Sequence, residues 1–206
     1  MLLVIETALT ACSVALIDGG HVVAARHEEI GRGHAERLIP MVESVLADVS
    51  DRTVTAILVD VGPGSFTGLR VGVAAAKAFA LAWEVPISGV TSTALVAAGA
   101  FAADLELSSL YVALDAARGQ VYTQAFDRSG PTSEVQALDP VIAADEAAIY
   151  VAIAGTGAPL LIGFSPDLVV SAPALPHAAD ARFLPPGHAR PVSPLYVRAP
   201  DARLPG

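Results

Sequence analysis

A strand-and-turn pattern occurs twice in this 206-residue chain, and it constrains the fold more than any other sequence feature. In the first half, an apolar strand ends in Glu6, and Asp18 follows twelve residues later with a glycine turn. In the second half, Leu110–Leu114 ends in Asp115, and Asp127 follows at the same spacing with another turn. Because a returning strand lies between the two acids in each copy, the pattern predicts a duplicated fold whose halves both begin with a β-hairpin.

Helical and extended patterns alternate through the first half. Apolar positions within 35–49 recur at helical spacing, and Pro40 requires this helix to begin near Leu38 or to kink. A strand at 55–59 leads through a glycine loop to a long helix at 65–83. The alternation of strands and helices predicts an α/β protein.

The pattern weakens after residue 137, and prolines become frequent from Ser165 onward. Dense prolines permit only short elements, so the second half is predicted to be small with a loosely ordered tail. We therefore predict a first lobe at 1–104, which carries the glycine loop, and a smaller second lobe at 105–206.

Charge and composition exclude several classes of protein. The net charge is −9, and Lys77 is the only lysine beside eleven arginines, so no basic patch is available to bind RNA directly. The longest apolar stretch, 69–83, contains two basic residues and is shorter than the roughly 20 residues of a membrane-spanning helix. The single cysteine, Cys12, permits no internal disulfide. We expect a cytoplasmic protein without a membrane segment.

The glycine-rich segment 62–72, GPGSFTGLRVG, lies between a strand and a helix, where backbone N–H groups can hold a phosphate. It lacks the Gly-Lys-Ser/Thr of a P-loop and the G-x-G-x-x-G of dinucleotide-binding folds. Pro63 and Thr67 replace the glycines that an esterase elbow needs around Ser65. Two alternatives remain, a nucleotide site and a rigid turn with Ser65 or Thr67 capping the helix. The residues concerned are Thr7, Gly62, Gly64, Ser65, Thr67 and Gly68.

Five segments resemble the TsaB (YeaZ) family, which acts in tRNA threonylcarbamoyladenosine biosynthesis. ILVDVGPGSFTGLRVG at 57–72 is similar to the family signature. The others, in the family's order, are IETALTACSVAL (5–16), GHAERLIPMVESVL (33–46), LDAARGQVY (114–122) and PLYVRAP (194–200). The resemblance covers most of the chain. It implies a two-lobed actin-like ATPase (ASKHA) fold with duplicated hairpin-plus-crossover halves and a reduced second lobe.

The resemblance also implies a scaffold without catalytic residues of its own. Such a subunit binds TsaD and TsaE, reaches tRNA only through the complex and can form a homodimer when isolated. TsaD holds a metal through an H-x-x-x-H pair, but Val90–Val96 contains no histidine, and no two of the five histidines have that spacing on one helix. We therefore expect no metal and no cofactor beyond weak nucleotide binding. The alternatives are a small-molecule kinase or amide hydrolase of this fold, which could recruit Glu6 and Asp115, and a self-sufficient homodimer.

Three residues depart from the family pattern. Glu6 stands where the family usually has aspartate, Arg118 is displaced by one position, and Gln120 replaces a glutamate. The last two changes put a polar role for this loop in question. His34 resembles a recurrent family histidine, for which we predict a capping or loop-packing role.

The partner interface is predicted on the two apolar helices. The long helix leaves almost no polar face, and a helix that is apolar all round must be buried all round. A partner could cover it, or it could be the central core helix. Positions spaced by four form a smooth ridge for close helix approach. On the first helix, Leu38 and Val45 occupy the centre of the apolar arc, toward the core, and Met41 occupies its edge. The predicted interface set is Leu38, Met41, Val45, Gly68, Gly72, Val73, Ala76 and Ala80.

Overall fold

A computed structural model describes residues 1–49, 53–116, 119–147, 152–161, 174–184 and 188–197. The first half contains β1 (Leu2–Glu6), β2 (Ala11–Asp18), β3 (His21–Glu29), α1 (His34–Ala47), β4 (Ala56–Gly62), α2 (Phe66–Trp83), β5 (Ile87–Thr91) and α3 (Ser92–Ala103). The second half contains β6 (Ser109–Asp115), β7 (Val121–Asp127), β8 (Gly130–Pro131), β9 (Gln136–Leu138), α4 (Pro140–Ala147) and β10 (Ile153–Ala154). Short 3₁₀ segments follow at Ala158–Leu160 and Ala178–Phe183.

Both sheets are built by the same scheme, which confirms the duplicated fold. The first has the order β3-β2-β1-β4-β5, with an antiparallel β1–β2–β3 meander and parallel β4 and β5. The second has the path β10-β6-β7-β8, with an antiparallel β6–β7 hairpin and β10 parallel to β6. A hairpin followed by a crossover to a parallel strand is the arrangement of the actin-like fold. The division at residues 104 and 105 stays a prediction.

Helix α1 begins earlier than the proline suggested. It runs from His34 to Ala47 with Pro40 inside it, so the predicted start near Leu38 is wrong. Proline removes only one backbone N–H, the one that would donate a hydrogen bond to the carbonyl of residue 36. Pro40 is exposed, so solvent can satisfy that carbonyl.

The helix that is buried all round is α3, and not α2. Nine of the twelve residues of α3, Ser92 to Ala100, are buried, and α3 contributes to a core that includes side chains of both sheets. Helices α1 and α2 cover the opposite face of the first sheet, and α2 leaves an exposed face. Length and composition alone would let α2 cross a membrane, a test that core helices of soluble proteins also pass.

Part of the proline-rich tail returns to the first sheet. The Ala178 amide donates to Ser13 Oγ at 3.0 Å, and the His177 ring stacks on His27 with centroids 4.3 Å apart. Burial, followed by the neighbouring His27, lowers the pKa of His177 to about 4. Farther along, the Leu195 amide donates to the Val61 carbonyl at 2.6 Å. These segments therefore pack on the first half, where the sequence predicted a loose tail.

Candidate functional site at the glycine loop

The glycine loop begins where β4 ends and is anchored at both ends by side chains. The Gly62 amide donates to Asp60 Oδ1 at 2.7 Å. At the start of α2, Ser65 is the N-cap residue, and its Oγ accepts from the Gly68 amide at 3.4 Å. The predicted cap by Ser65 is therefore confirmed. Thr67, the other capping candidate, is exposed in the first turn of α2.

The loop is packed directly on the β1–β2 turn. The Ser65 amide donates to the Ala8 carbonyl at 2.6 Å, and Thr7 Oγ1 donates to the Gly68 carbonyl at 2.8 Å. A Cβ at Gly64 would lie within 3.0 Å of the Ala8 carbonyl, and one at Gly68 would equally overlap the Thr7 carbonyl. Glycine is thus required here by close backbone approach.

This geometry favours the rigid turn over the phosphate cradle. A phosphate site needs backbone N–H groups that point into open space. The amides of Gly62, Ser65 and Gly68 already donate to acceptors within the chain. Of the residues singled out as nucleotide or turn residues, five make these contacts, and Thr67 does not. Nucleotide binding stays a prediction.

Two fully buried carboxylates lie beneath the loop. Glu6 ends β1 and Asp60 lies near the end of the neighbouring parallel strand β4. Burial, together with the nearby Asp60 charge, raises the pKa of Glu6 well above its usual range. Burial raises the pKa of Asp60 to about 7. Asp60 was not among the predicted site residues, although an acid inside the apolar run ILVDVG is a usable signal.

An exposed aromatic cluster borders the loop. The rings of Phe66 and Tyr196 lie 5.2 Å apart, and the Arg70 guanidinium lies 3.6 Å from the Phe66 centroid. Arg70 Nε donates to the Tyr196 hydroxyl at 3.1 Å. Tyr196 of the PLYVRAP segment therefore meets the start of α2, a contact between residues 126 positions apart that no local pattern could indicate.

The second half repeats the tight packing without the buried acid. The Gly157 amide donates to the Ala113 carbonyl at 2.9 Å, and a Cβ at Gly155 would overlap that same carbonyl. Asp115, the counterpart of Glu6, is exposed. The two acids that a kinase could recruit therefore lie in opposite environments. Arg118 is outside the described residues.

The remaining candidates have structural contacts. His34 is buried in the first turn of α1, and its Nε2 donates to the Ala11 carbonyl at 3.0 Å, which confirms loop packing, whereas the N-cap position belongs to Gly33. The Gln120 carbonyl accepts from the Ala116 amide at 3.0 Å and closes the hairpin. Within the described part of the chain, no three His, Cys, Asp or Glu side chains form a metal-binding group.

The eight residues predicted as a partner interface are all buried within the chain. Six belong to the core between the first sheet and helices α1 and α2, namely Leu38, Met41, Val45, Val73, Ala76 and Ala80. Gly68 and Gly72 face Thr7, so the smooth ridge of α2 contacts the β1–β2 turn of this chain. Met41 is 2% exposed. The residue set is corrected on this ground: side chains inside the core cannot meet a partner while the fold is intact.

Comparisons with known proteins agree with the fold. The family model of TsaD, tRNA N6-adenosine threonylcarbamoyltransferase, matches residues 14–155. The Escherichia coli tRNA threonylcarbamoyladenosine biosynthesis protein TsaB is 38% identical over 62% of this chain and 55% of its own length, and the Bacillus subtilis TsaB is 34% identical over 70% and 63%. The chain thus spans little more than half the length of these relatives. An uncharacterized Mycobacterium tuberculosis protein is 30% identical over 98% of this chain and 93% of its own.

Solved structures match over nearly the whole chain. A Pseudomonas aeruginosa protein described as similar to peptidase YeaZ has a TM-score of 0.79 and 30% identity, and covers 96% of this chain and 99% of its own. YeaZ from Pseudomonas aeruginosa has a TM-score of 0.75 and 28% identity, over 95% and 98%. The two sheets, each with a hairpin and a parallel strand added by a crossover, define a two-lobed protein of the actin-like class. Within that class, the chain belongs to the TsaB (YeaZ) family.

Proposed function

We propose that this chain is the non-catalytic scaffold subunit that binds TsaD, and with it TsaE, to support threonylcarbamoyl transfer to the tRNA adenosine next to the anticodon. The observation that carries the proposal is the closed glycine loop in a TsaB-family fold. The Gly62, Ser65 and Gly68 amides donate within the chain, and Glu6 is buried whereas Asp115 is exposed. Such a chain suits a binding role better than phosphoryl transfer.

The corrected candidate for the partner surface is the outer face of α2. Ala74, Ala78 and Leu81 are exposed on it, and Leu81 is 83% exposed. Ile39 of α1 is 42% exposed, and it adds to the apolar surface of the layer that α1 and α2 form. Exposed apolar surface of this kind often marks a contact with another protein. We call this surface the α2 outer face.

TsaD is the proposed occupant because its fold is related to that of this chain. The TsaD model matches residues 14–155, which include both α1 and α2. A related partner can present an equivalent pair of helices, and two related folds can pair through equivalent faces about a pseudo-two-fold axis. A homodimer would use the same face and is the alternative occupant. With a net charge of −9, the chain relies on the complex to contact tRNA.

The isolated chain is expected to lack turnover. Incubation with ATP, threonylcarbamoyl-adenylate and tRNA should give no modified nucleoside until TsaD is added, as measured by chromatography of digested tRNA. The reason is the lack of a complete nucleophile and base set in the sequence. Modified tRNA formed by this chain alone would favour the alternative of an enzyme and overturn the scaffold proposal.

An Ala78→Glu substitution is expected to weaken association with TsaD by about 2–4 kcal/mol, because a carboxylate would be buried without a partner in the interface. The monomer should keep its melting temperature, since Ala78 is exposed. Titration calorimetry with TsaD and a thermal melt measure the two quantities on the same sample.

The matched control is Ala103→Glu, an exposed alanine at the end of α3. This variant should bind TsaD like the unchanged chain. If the Ala78→Glu variant binds TsaD with unaltered affinity, the α2 outer face is not part of the interface. Loss of self-association with TsaD binding intact would assign the α2 outer face to a homodimer.

A further inference from the structure

Glu6 and Asp60 occupy adjacent positions on neighbouring strands. Strands β1 and β4 are parallel, with Ile5 opposite Val59. The next residue on each strand is the acid, so both side chains lie on the same face of the sheet. Val4 and Leu58 lie two positions earlier on the same face of the sheet, and they pack in the core that contains α3. Both acids are 0% exposed.

Each carboxylate uses one oxygen and leaves the other without a partner. Glu6 Oε1 accepts from the Ala8 amide at 2.7 Å. Asp60 Oδ1 accepts from the Gly62 amide at 2.7 Å and from Ser92 Oγ at 2.9 Å. Glu6 Oε2 and Asp60 Oδ2 have no hydrogen-bond partner. Two buried, unpartnered carboxylate oxygens on adjacent strands are costly if both groups are charged.

No described cation compensates the pair. Strand β5 and helix α3 carry no ionizable side chain, and none of the described ion pairs involves Glu6 or Asp60. The ionizable side chains on the other elements nearby are Cys12 and Asp18 of β2, Arg70 and Lys77 of α2, and His177, Asp180 and Arg182 at the second 3₁₀ segment. Cys12 is buried, and burial together with the Glu6 charge raises the pKa of its thiol to about 12, so it stays a neutral thiol and adds no charge next to the pair.

We propose that Glu6 and Asp60 hold a single proton between Glu6 Oε2 and Asp60 Oδ2, and that this shared proton joins the β1–β2 turn to the glycine loop. The proton comes from solvent during folding, and the pair then carries one negative charge. One acid orients the Ala8 amide of the turn, and the other orients the Gly62 amide of the loop. A single proton thereby connects the β1–β2 turn to the glycine loop, the two segments that pack against each other.

The shared proton makes stability depend on pH with a definite sign. Both acids have a raised pKa in the folded state, so the folded chain holds a proton that the unfolded chain releases. The stabilisation is complete below the unfolded-state pKa of about 4 and is lost as the pH rises through the folded-state pKa, about 7 for Asp60. His177 acts in the opposite direction, because its pKa is lowered.

Single amide substitutions test the proposal because an amide N–H can replace the shared proton. In Glu6→Gln, the amide oxygen can still accept from Ala8 and its nitrogen can donate to Asp60. Asp60→Asn is the mirror case. Both variants should fold, and between pH 5 and pH 8 the urea midpoint of the unchanged chain should fall relative to the midpoint of each variant. The His177 contribution is the same in all three proteins and cancels in the comparison.

Two further measurements make the test specific. The unchanged chain should show an infrared carbonyl band of a protonated carboxyl at neutral pH, and this band should be absent from each single variant. The double variant Glu6→Gln with Asp60→Asn should be less stable than the sum of the single effects predicts, because two amide donors then face each other.

Each contrary result overturns the proposal. If the protonated-carboxyl band is absent and each single variant is more stable than the unchanged chain at every pH, the pair is doubly charged. If added Mg²⁺ or Na⁺ raises the melting temperature of the unchanged chain but not of the variants, a cation occupies the gap instead of a proton.

Discussion

The Met41→Glu variant is expected to lose its cooperative fold at room temperature or to retain only a small part of its stability. Met41 is 2% exposed and packs in the core between α1, α2 and the first sheet. Removal of a buried methionine side chain costs about 2–5 kcal/mol, and an unpaired buried carboxylate adds to that cost. The sum approaches the total stability of about 5–15 kcal/mol typical of a domain. Circular dichroism melts measure the loss.

Ile39→Glu is the matched control on the same helix. Ile39 is 42% exposed, so this change should alter the free energy of unfolding by less than about 1 kcal/mol. A Met41→Glu protein that melts like the unchanged chain but fails to bind TsaD would restore Met41 to the interface. The pair of variants therefore separates core from partner surface on one helix.

Gly68→Ala is expected to destabilise the chain by about 2–4 kcal/mol, although helix propensity alone predicts a gain of about 1 kcal/mol. Gly68 lies in the first turn of α2, and a Cβ there would overlap the Thr7 carbonyl oxygen. That oxygen belongs to the backbone of the β1–β2 turn and can move only if the turn moves. Urea denaturation of the variant measures the change.

Gly31→Ala provides the graded control for this prediction. Gly31 has a φ of +66°, and no atom outside its immediate chain neighbours lies within 4 Å of the position that a Cβ would occupy. Alanine there should therefore cost only the conformational strain of about 1–2 kcal/mol. A Gly68→Ala chain that is more stable than the unchanged one would contradict the close packing of Gly68 on the Thr7 carbonyl.

The hairpin repeat, most element positions and the Ser65 cap could be predicted from the sequence because they depend on local spacing. Strand alternation, glycine turns and capping side chains act over a few residues, and the repeat of acid-to-acid spacing is a local pattern that occurs twice. The family signature at 57–72 also predicts the fold, because its residues are contiguous and can be recognised as one motif.

The helix face that is left exposed could not be predicted from the sequence, because apolar composition does not say which side of a helix is covered. The sequence makes both α2 and α3 mainly apolar, although α2 carries Arg70 and Lys77 and α3 carries no charged side chain. The fold buries α3 on every side between two sheets, whereas α2 covers one face of a single sheet and leaves Ala78 and Leu81 in solvent. The wheel of α1 likewise assigned Met41 to the edge of the apolar arc, whereas Met41 belongs to the core between α1, α2 and the first sheet.

By itself, then, the sequence determined the duplicated hairpin architecture and the family, since both are encoded in contiguous segments. Only the tertiary structure decided that the glycine loop is closed and that two acids are buried beneath it. Glu6 and Asp60 are 54 positions apart in the chain and become neighbours only because β1 and β4 pair in parallel. The same pairing places the β1–β2 turn against the glycine loop, because the turn follows β1 and the loop follows β4.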